Sequence, residues 1–438
     1  MRECPRYAAS SPGSVSTVVR RAIRVRVGGG RARVGAAAKA IRLLEVPEAR
    51  HRSLLIIGQK TMLQCHSQQV QINLDNLAWN FNEFRALCPG AGVAAVVKAD
   101  AYGAGLAAVT RRLASEGCAS FFVAHLQEGA QLREQNDGGE IYVLNGLLPG
   151  TESAHKTLNL KPVLTSESQV RLWIDFCERE SWTGGAALHV DTGINRLGFH
   201  MEELGTLTHM IEGRLHYFDL IMSHLACADD PSDPRNREQV DTFWQVRKEF
   251  GSLRRASLAG SAGCFLGRRA HFEMVRPGIG LYGGNPFVSR SNPFRQVVSM
   301  HARLLQVKRL RHGDYVGYGR AHRLERDSLI GVISLGYVDG YPRYTRPAAN
   351  RDRIRVYYKG RAAGVIGRVS MDTSIIDLSA AADLKPSLGD LVEVCGPSQS
   401  VDELAKSIGC IPNEFMTALG SRSVRSYIGG RDLSGLHS

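Results

Sequence analysis

The chain has 438 residues, 43% of them hydrophobic and 22% charged, enough apolar material for two folded domains. It holds no run of eighteen apolar residues, so no membrane-crossing helix is expected. The formal charge of +13 is uneven: residues 1–60 carry thirteen Lys and Arg against Glu3, Glu45 and Glu48, and the remainder carries 42 bases against 39 acids. The basic balance therefore belongs to the front of the chain and does not make the body a nucleic-acid binder.

That front is rich in Arg, Ala, Ser and Gly and contains a Gly28–Gly30 run. It lacks the long apolar core of a signal peptide or anchor. Two readings fit: an organellar transit peptide, or upstream sequence translated from a start placed before a true start at Met62. In either case residues 1–61 are expected to be a disordered basic extension. Nine cysteines run from Cys4 to Cys410 with no CxxC pair. An odd, scattered count in a long chain fits a reduced, cytoplasmic compartment and offers no metal-ligand spacing.

Gln69 to Leu74 alternates polar and apolar, which predicts a half-exposed strand, and Asp75 reads as the N-cap of a helix through Leu77, Phe81 and Phe84. Next comes GVAAVVKADAYGAG, Gly92 to Gly105. Its small and β-branched run predicts a buried parallel strand closed by a tight turn into a helix. Lys98 stands where that strand emerges. Partly shielded from water, it can lose its proton and act as an amine nucleophile; alone, it reads equally as a lysine snorkelling from a strand end.

Seven more short apolar runs follow, each with a turn and a helical stretch behind it: Phe121–Ala124, Ile141–Leu144, Val163–Leu164, Ala186–Val190, Leu220–Met222, Ala256–Leu258 and Phe272–Val275. Eight repeats predict a (β/α)8 TIM-type barrel over residues 69–295, although a doubly wound open sheet fits the same alternation. Lys98, Arg196, His224, Ser261 and Arg276 fall at or just past strand ends, which in a barrel converge on one mouth. Beyond Asn285–Pro293 the period becomes two. Val307–Leu310, Leu329–Leu335, Ile354–Tyr358, Gly364–Ile366 and Leu391–Val394 predict a mostly β second domain over residues 296–438.

The Gly92–Gly105 string resembles the cofactor-lysine motif of the alanine racemases. So do HVDTGINRLGF (His189–Phe199), SHLACADD (Ser223–Asp230), SLAGSAG (Ser257–Gly263), RPGIGLYG (Arg276–Gly283), VGYGRAH (Val316–His322) and GRVSMD (Gly367–Asp372), all in the family's order. The resemblance implies a barrel that binds pyridoxal 5'-phosphate (PLP) and a homodimer arranged head to tail. Lys98 would hold the cofactor and act as one base, with Tyr318 from the other subunit as the second. Arg276 would face the cofactor's ring nitrogen, and His224 would link it to Tyr318. Tyr102, Ser261, Gly278 and Ile279 would hold the phosphate. Arg196 would pair with the substrate carboxylate or the cofactor's ring oxygen, Met371 and Asp372 would stand near that carboxylate, and a small pocket closed by Tyr337 and Met371 would favour alanine. The resemblance also implies that the strand at 69–74 joins the β domain. The implied reaction exchanges L-alanine and D-alanine, for the cell wall or in catabolism. A racemase for serine or another amino acid on the same scaffold remains open. A small single-domain PLP-carrying barrel does not account for residues 296–438. Without the motifs, Tyr318 reads as a packed sheet tyrosine and His224 as an ordinary strand-end histidine.

Four positions depart from the family pattern. Ala104 stands for a usual histidine, and Gly260 for an asparagine. His189 stands where some members carry a carbamylated lysine, and Ser421 where some carry a phosphate-binding tyrosine.

Overall fold

The computed structural model describes residues 66–135, 138–343, 354–420 and 422–430. The front segment, with Met62, and Ser421 lie outside the described residues. Each of the eight expected apolar runs falls on a parallel strand. The first strand is recorded in two pieces, Gly92–Val93 and Ala95–Val96, on either side of Ala94. The first piece pairs with the last strand, Met274–Val275, and the second with Ser120–Val123, so the ring closes. Between them stand Glu140–Val143, Leu160–Leu164, Ala187–His189, Leu220–Met222 and Arg255–Ser257, each beside the next. Phe121 sits between Ala95 and Ile141. The closed ring excludes the open-sheet alternative. Strands covered inside by side chains and outside by helices need apolar residues on both faces, and all four residues of Ser120–Val123 are buried.

The helix after the first described strand corrects one expectation. Its N-cap is Asn73, not Asp75: the Asn73 side-chain oxygen accepts from the backbone N–H of Asp75 at 3.0 Å and of Asn76 at 2.9 Å. The helix runs Leu74–Leu87, and Asp75 sits in its first turn, 3.4 Å from Arg112, where its charge suits the positive end of the dipole.

Beyond the barrel, Val298–Leu310 is the spine of an antiparallel sheet. Its second half pairs with Ser328–Ile333, and its first half with Leu391–Cys395. Ser374–Asp377, Arg361–Ile366 and Arg355–Tyr358 complete the circuit between those two. Gln68–Asn73 adds to the free edge of the spine, antiparallel at Gln68↔Ala302, and Val424–Ile428 lies parallel beside it. One cluster of buried apolar side chains runs from the barrel into this sheet, taking in Val70, Phe121, Tyr142 and Met300. A second, around Trp173 and Phe243, joins the later strands to their covering helices.

Candidate active site

The chain leaves the first strand at Lys98 and makes an unexpected turn. Ala99, Asp100, Ala101 and Tyr102 all have φ between 53° and 55°, a left-handed turn that starts four residues ahead of Gly103, itself at φ 76°. Such geometry costs about 1–2 kcal/mol per residue with a Cβ, so neighbours must hold it. Glu128 accepts from the N–H of Ala99 at 2.7 Å. Asp100 accepts from the N–H of Leu106 at 2.7 Å, and Arg425 donates to the carbonyl of Gly103 at 2.8 Å. Tyr102 stacks on Tyr282 at 4.7 Å, and the Tyr282 hydroxyl donates to the carbonyl of Val96.

At the strand ends lies a cavity of about 580 Å³. Lys98, Tyr102, Arg196, His224, Ser261, Arg276, Gly278 and Ile279 all line it. Residues as far apart in sequence as 98 and 279 share one space because parallel strands end on one side of a barrel. Arg276 is 5% exposed; it donates to the carbonyl of Ser223 at 2.6 Å, to the Ser257 hydroxyl and to the carbonyl of Leu258. Its hydrogen bonds run to these groups and not to His224. Burial brings its guanidinium down to about 10, still cationic at neutral pH. Arg196 is placed by Asp191, whose carboxylate accepts from the N–H groups of Gly193, Ile194 and Arg196 at 2.8 to 3.0 Å.

Lys98 is half-buried, and its amine is lowered by burial first and by Arg196 second, with Glu128 opposing. The two histidines stay neutral. His224 is lowered to about 3 and His189 to about 4, chiefly by burial and then by the charge of Arg276. Three cations thus line the cavity against one carboxylate, Asp229, among the described residues. The Nε2 atom of His189 is buried there with no hydrogen-bond partner.

Part of the cavity wall is a cradle of small groups. Ser261 Oγ accepts from the N–H groups of Gly278 at 2.9 Å and Gly280 at 3.2 Å. A Cβ at Gly278 would lie 2.4 Å from the Tyr102 hydroxyl, so only glycine lets that hydroxyl close on the loop. Gly260, by contrast, has room: a Cβ there would sit 3.4 Å from the His224 ring. Ala104 is fully buried.

Tyr318, Tyr337, Met371 and Asp372 do not line this cavity. They gather on loops of the β domain. The N–H of Tyr337 donates to the carbonyl of Ser370 and that of Val338 to Met371. Asp372 accepts from Arg422 at 2.7 Å. Tyr318, Tyr337 and Met371 are 69%, 37% and 52% exposed. Sequence reasoning passed over Asp191, Glu128 and Asn145. The first two act on backbone N–H groups, and their signal is only an acid beside a glycine turn or in a helix's first turn.

Residues 72–286 match the alanine racemase N-terminal domain family, and residues 297–427 the alanine racemase C-terminal domain family. An alanine racemase of Methylobacterium nodulans is 40% identical over 374 residues, covering 85% of this chain and 100% of its own. One from Rhodospirillum rubrum is 42% identical over 369 residues, covering 83% and 96%. The crystal structure of alanine racemase from Bartonella henselae with covalently bound pyridoxal phosphate superposes with a TM-score of 0.77 at 33% identity, over 83% of this chain and 99% of that one. With the closed barrel, the appended β domain and the cationic mouth, these matches place the chain in the alanine racemase family.

Proposed function

We propose that this protein is a PLP-dependent alanine racemase that interconverts L-alanine and D-alanine, with Lys98 acting on one face of the substrate and Tyr318 of the partner subunit on the other. The observation that carries the reading is Lys98 in one cavity with Arg196, Arg276 and the Ser261–Gly278 cradle. That cavity fits the cofactor. Small backbone donors and the Tyr102 hydroxyl suit a phosphate, the surplus cations suit an anionic ligand, and the unpartnered Nε2 of His189 leaves a polar atom to be met.

When bound, PLP supplies the electron sink that makes an amino acid's α-proton removable. Lys98 would hold it through Nζ, and the same amine, when free, would take or return the α-proton. Its partial burial favours the neutral form that both tasks need. Arg276 keeps its own proton, so facing the cofactor's ring nitrogen it would donate there and accept nothing, an arrangement that would favour proton return at the α-carbon over transamination. Arg196 pairs with the substrate carboxylate or the ring oxygen. Tyr337, Met371 and Asp372 lie outside the cavity of their own subunit, so they would bound the entry and stand near the carboxylate from the β domain of the partner subunit. His224, in the same cavity as Arg276, would link that side of the site to the phenol of Tyr318 of the partner subunit.

What supports a phenol borrowed across a dimer is placement: Tyr318 stands in the open on the β domain, away from the cavity that holds Lys98. A head-to-tail homodimer follows from that borrowing. The protein is read as cytoplasmic; among the described residues no helix is long and apolar enough to cross a membrane. The test is the visible absorption of the purified protein with PLP, with D-alanine formation followed by a coupled assay. Lys98→Ala should abolish both. A protein that stays colourless with added PLP, or that turns over serine faster than alanine, overturns the reading.

A further inference from the structure

The four-residue left-handed turn behind Lys98 is held at its near end by one side chain. Glu128 opens the helix Leu126–Gln135, directly after the second barrel strand. Its Oε1 accepts from the N–H of Ala99 at 2.7 Å. Its Oε2 accepts from the N–H of Ala124 at 2.7 Å and of His125 at 3.2 Å. One carboxylate therefore ties the residue next to Lys98 to the end of the neighbouring strand. It does so at a point where four residues with Cβ atoms adopt φ above +50° and would otherwise relax.

We propose that Glu128 is a positioning residue for Lys98: it fixes the turn from which the amine reaches into the cavity, and it supplies the negative charge that balances Arg196 against that amine. The inference rests on Lys98 being the residue that holds the cofactor.

A neutral side chain of the same length would meet three N–H donors with one oxygen and with an NH₂ group that cannot accept. At least one bond would be lost and one donor opposed. The charge would be lost as well. The groups facing Lys98 are Arg196, Arg276, His224 and His189 across the cavity, Tyr102 on its own turn and Asp229 at the rim. Asp100, on the same turn, is engaged by the N–H of Leu106 and lies 3.9 Å from Arg425. Of these groups, Arg196 lowers the amine and Glu128 raises it. Removing Glu128's charge leaves Arg196 unopposed, so the amine becomes neutral at lower pH.

The experiment uses the full chain freed of PLP. Lys98 is labelled with 1-fluoro-2,4-dinitrobenzene across a pH series, and the labelled peptide is quantified by mass spectrometry. Because only the neutral amine reacts, the midpoint of the pH profile reports its titration. In Glu128→Gln the midpoint should fall by about one pH unit, the size expected for loss of one nearby opposite charge. Retention of PLP on dialysis should drop about tenfold, the scale of one lost charge-assisted hydrogen bond. In Glu128→Asp, whose carboxylate is drawn back by one methylene, the midpoint should fall by less. An unmoved midpoint in a folded Glu128→Gln protein overturns the charge role, and unchanged retention of PLP overturns the positioning role. Should that variant not fold, unchanged retention of PLP in Glu128→Asp overturns the positioning role equally. Wild-type labelling that PLP fails to block would instead overturn the assignment of Lys98, a separate outcome.

Discussion

The two ends of the barrel are built from the same residue types to opposite effect. At the floor, where the strands begin, Lys161 and Arg255 meet Glu140 and Asp219. Lys161 reaches Glu140 at 2.6 Å, and Arg255 grips Glu140 with two bonds of 2.7 and 2.9 Å and Asp219 at 3.1 Å. Tyr142 and Ser120 close the remaining valences. Two cations and two anions cancel. At the mouth, Lys98, Arg196 and Arg276 line open space, and Arg276 finds only neutral carbonyls and a hydroxyl. A buried charge needs a partner, and the floor carries its own. The mouth lacks that balance, and on the proposed function an anionic ligand would supply it.

The largest expected contrast is catalytic. Tyr318→Phe should lower turnover about 100- to 10,000-fold, the usual worth of a general acid or base, while the visible cofactor band stays. Mixing that variant with Lys98→Ala sharpens the test. If each site draws its amine from one subunit and its phenol from the other, mixed dimers regain one intact site. Random reassociation then restores about a quarter of the wild-type sites. No recovery in a mixture shown to exchange subunits would mean that both groups serve the same subunit. Loss of the band together with turnover would make Tyr318 structural.

Next in size is a variant of the floor. Arg255→Ala strands Glu140 and Asp219 with only Lys161 between them. Removing one member of a buried network costs about 3–5 kcal/mol, and these side chains are partly exposed, so about 2–4 kcal/mol is expected in urea unfolding. Turnover per folded molecule should hardly change. A large loss of turnover without loss of stability would show the two ends to be coupled.

Much of this was legible in the sequence. A barrel strand covered on both faces must be apolar throughout, so even Val163–Leu164 and Ala256–Leu258 mark strands. The helix cap was misplaced by two residues because Asn73 and Asp75 are both capping types and the strand's register decides between them. Ser374–Asp377 and Val424–Ile428 left little trace, since each is four or five residues long and stabilised by neighbours distant in sequence. The left-handed turn left none: Ala, Asp, Ala and Tyr do not favour positive φ, and Glu128 and Arg425, which hold it, lie far along the chain. Residues that line the cavity announced themselves by type, whereas residues that hold them act through backbone bonds any acid could make.

The smallest effect distinguishes the two ends by pH. At the floor, burial pushes the Glu140 carboxyl up, but Arg255 and Lys161 outweigh it and hold it at about 2. Its folded value lies below an unfolded value near 4.3, so the stability it lends is present above that and is lost as pH falls from about 5 toward 2. At the mouth, His189 at about 4 also lies below its unfolded value, near 6.5, but because burial and Arg276 keep it neutral. The unfolded chain takes up a proton that the folded chain refuses, so stability is lost as pH falls from about 6.5 toward 4. The windows barely overlap. His189→Asn should therefore flatten the stability curve between about pH 4 and 6.5, by at most about 1.4 kcal/mol per pH unit, and leave the steeper acid limb below it in place. An unchanged slope in that window would mean the imidazole takes its proton in the folded state as readily as in the unfolded one. The cations of the mouth would then be screened by solvent and not held in wait for an anion.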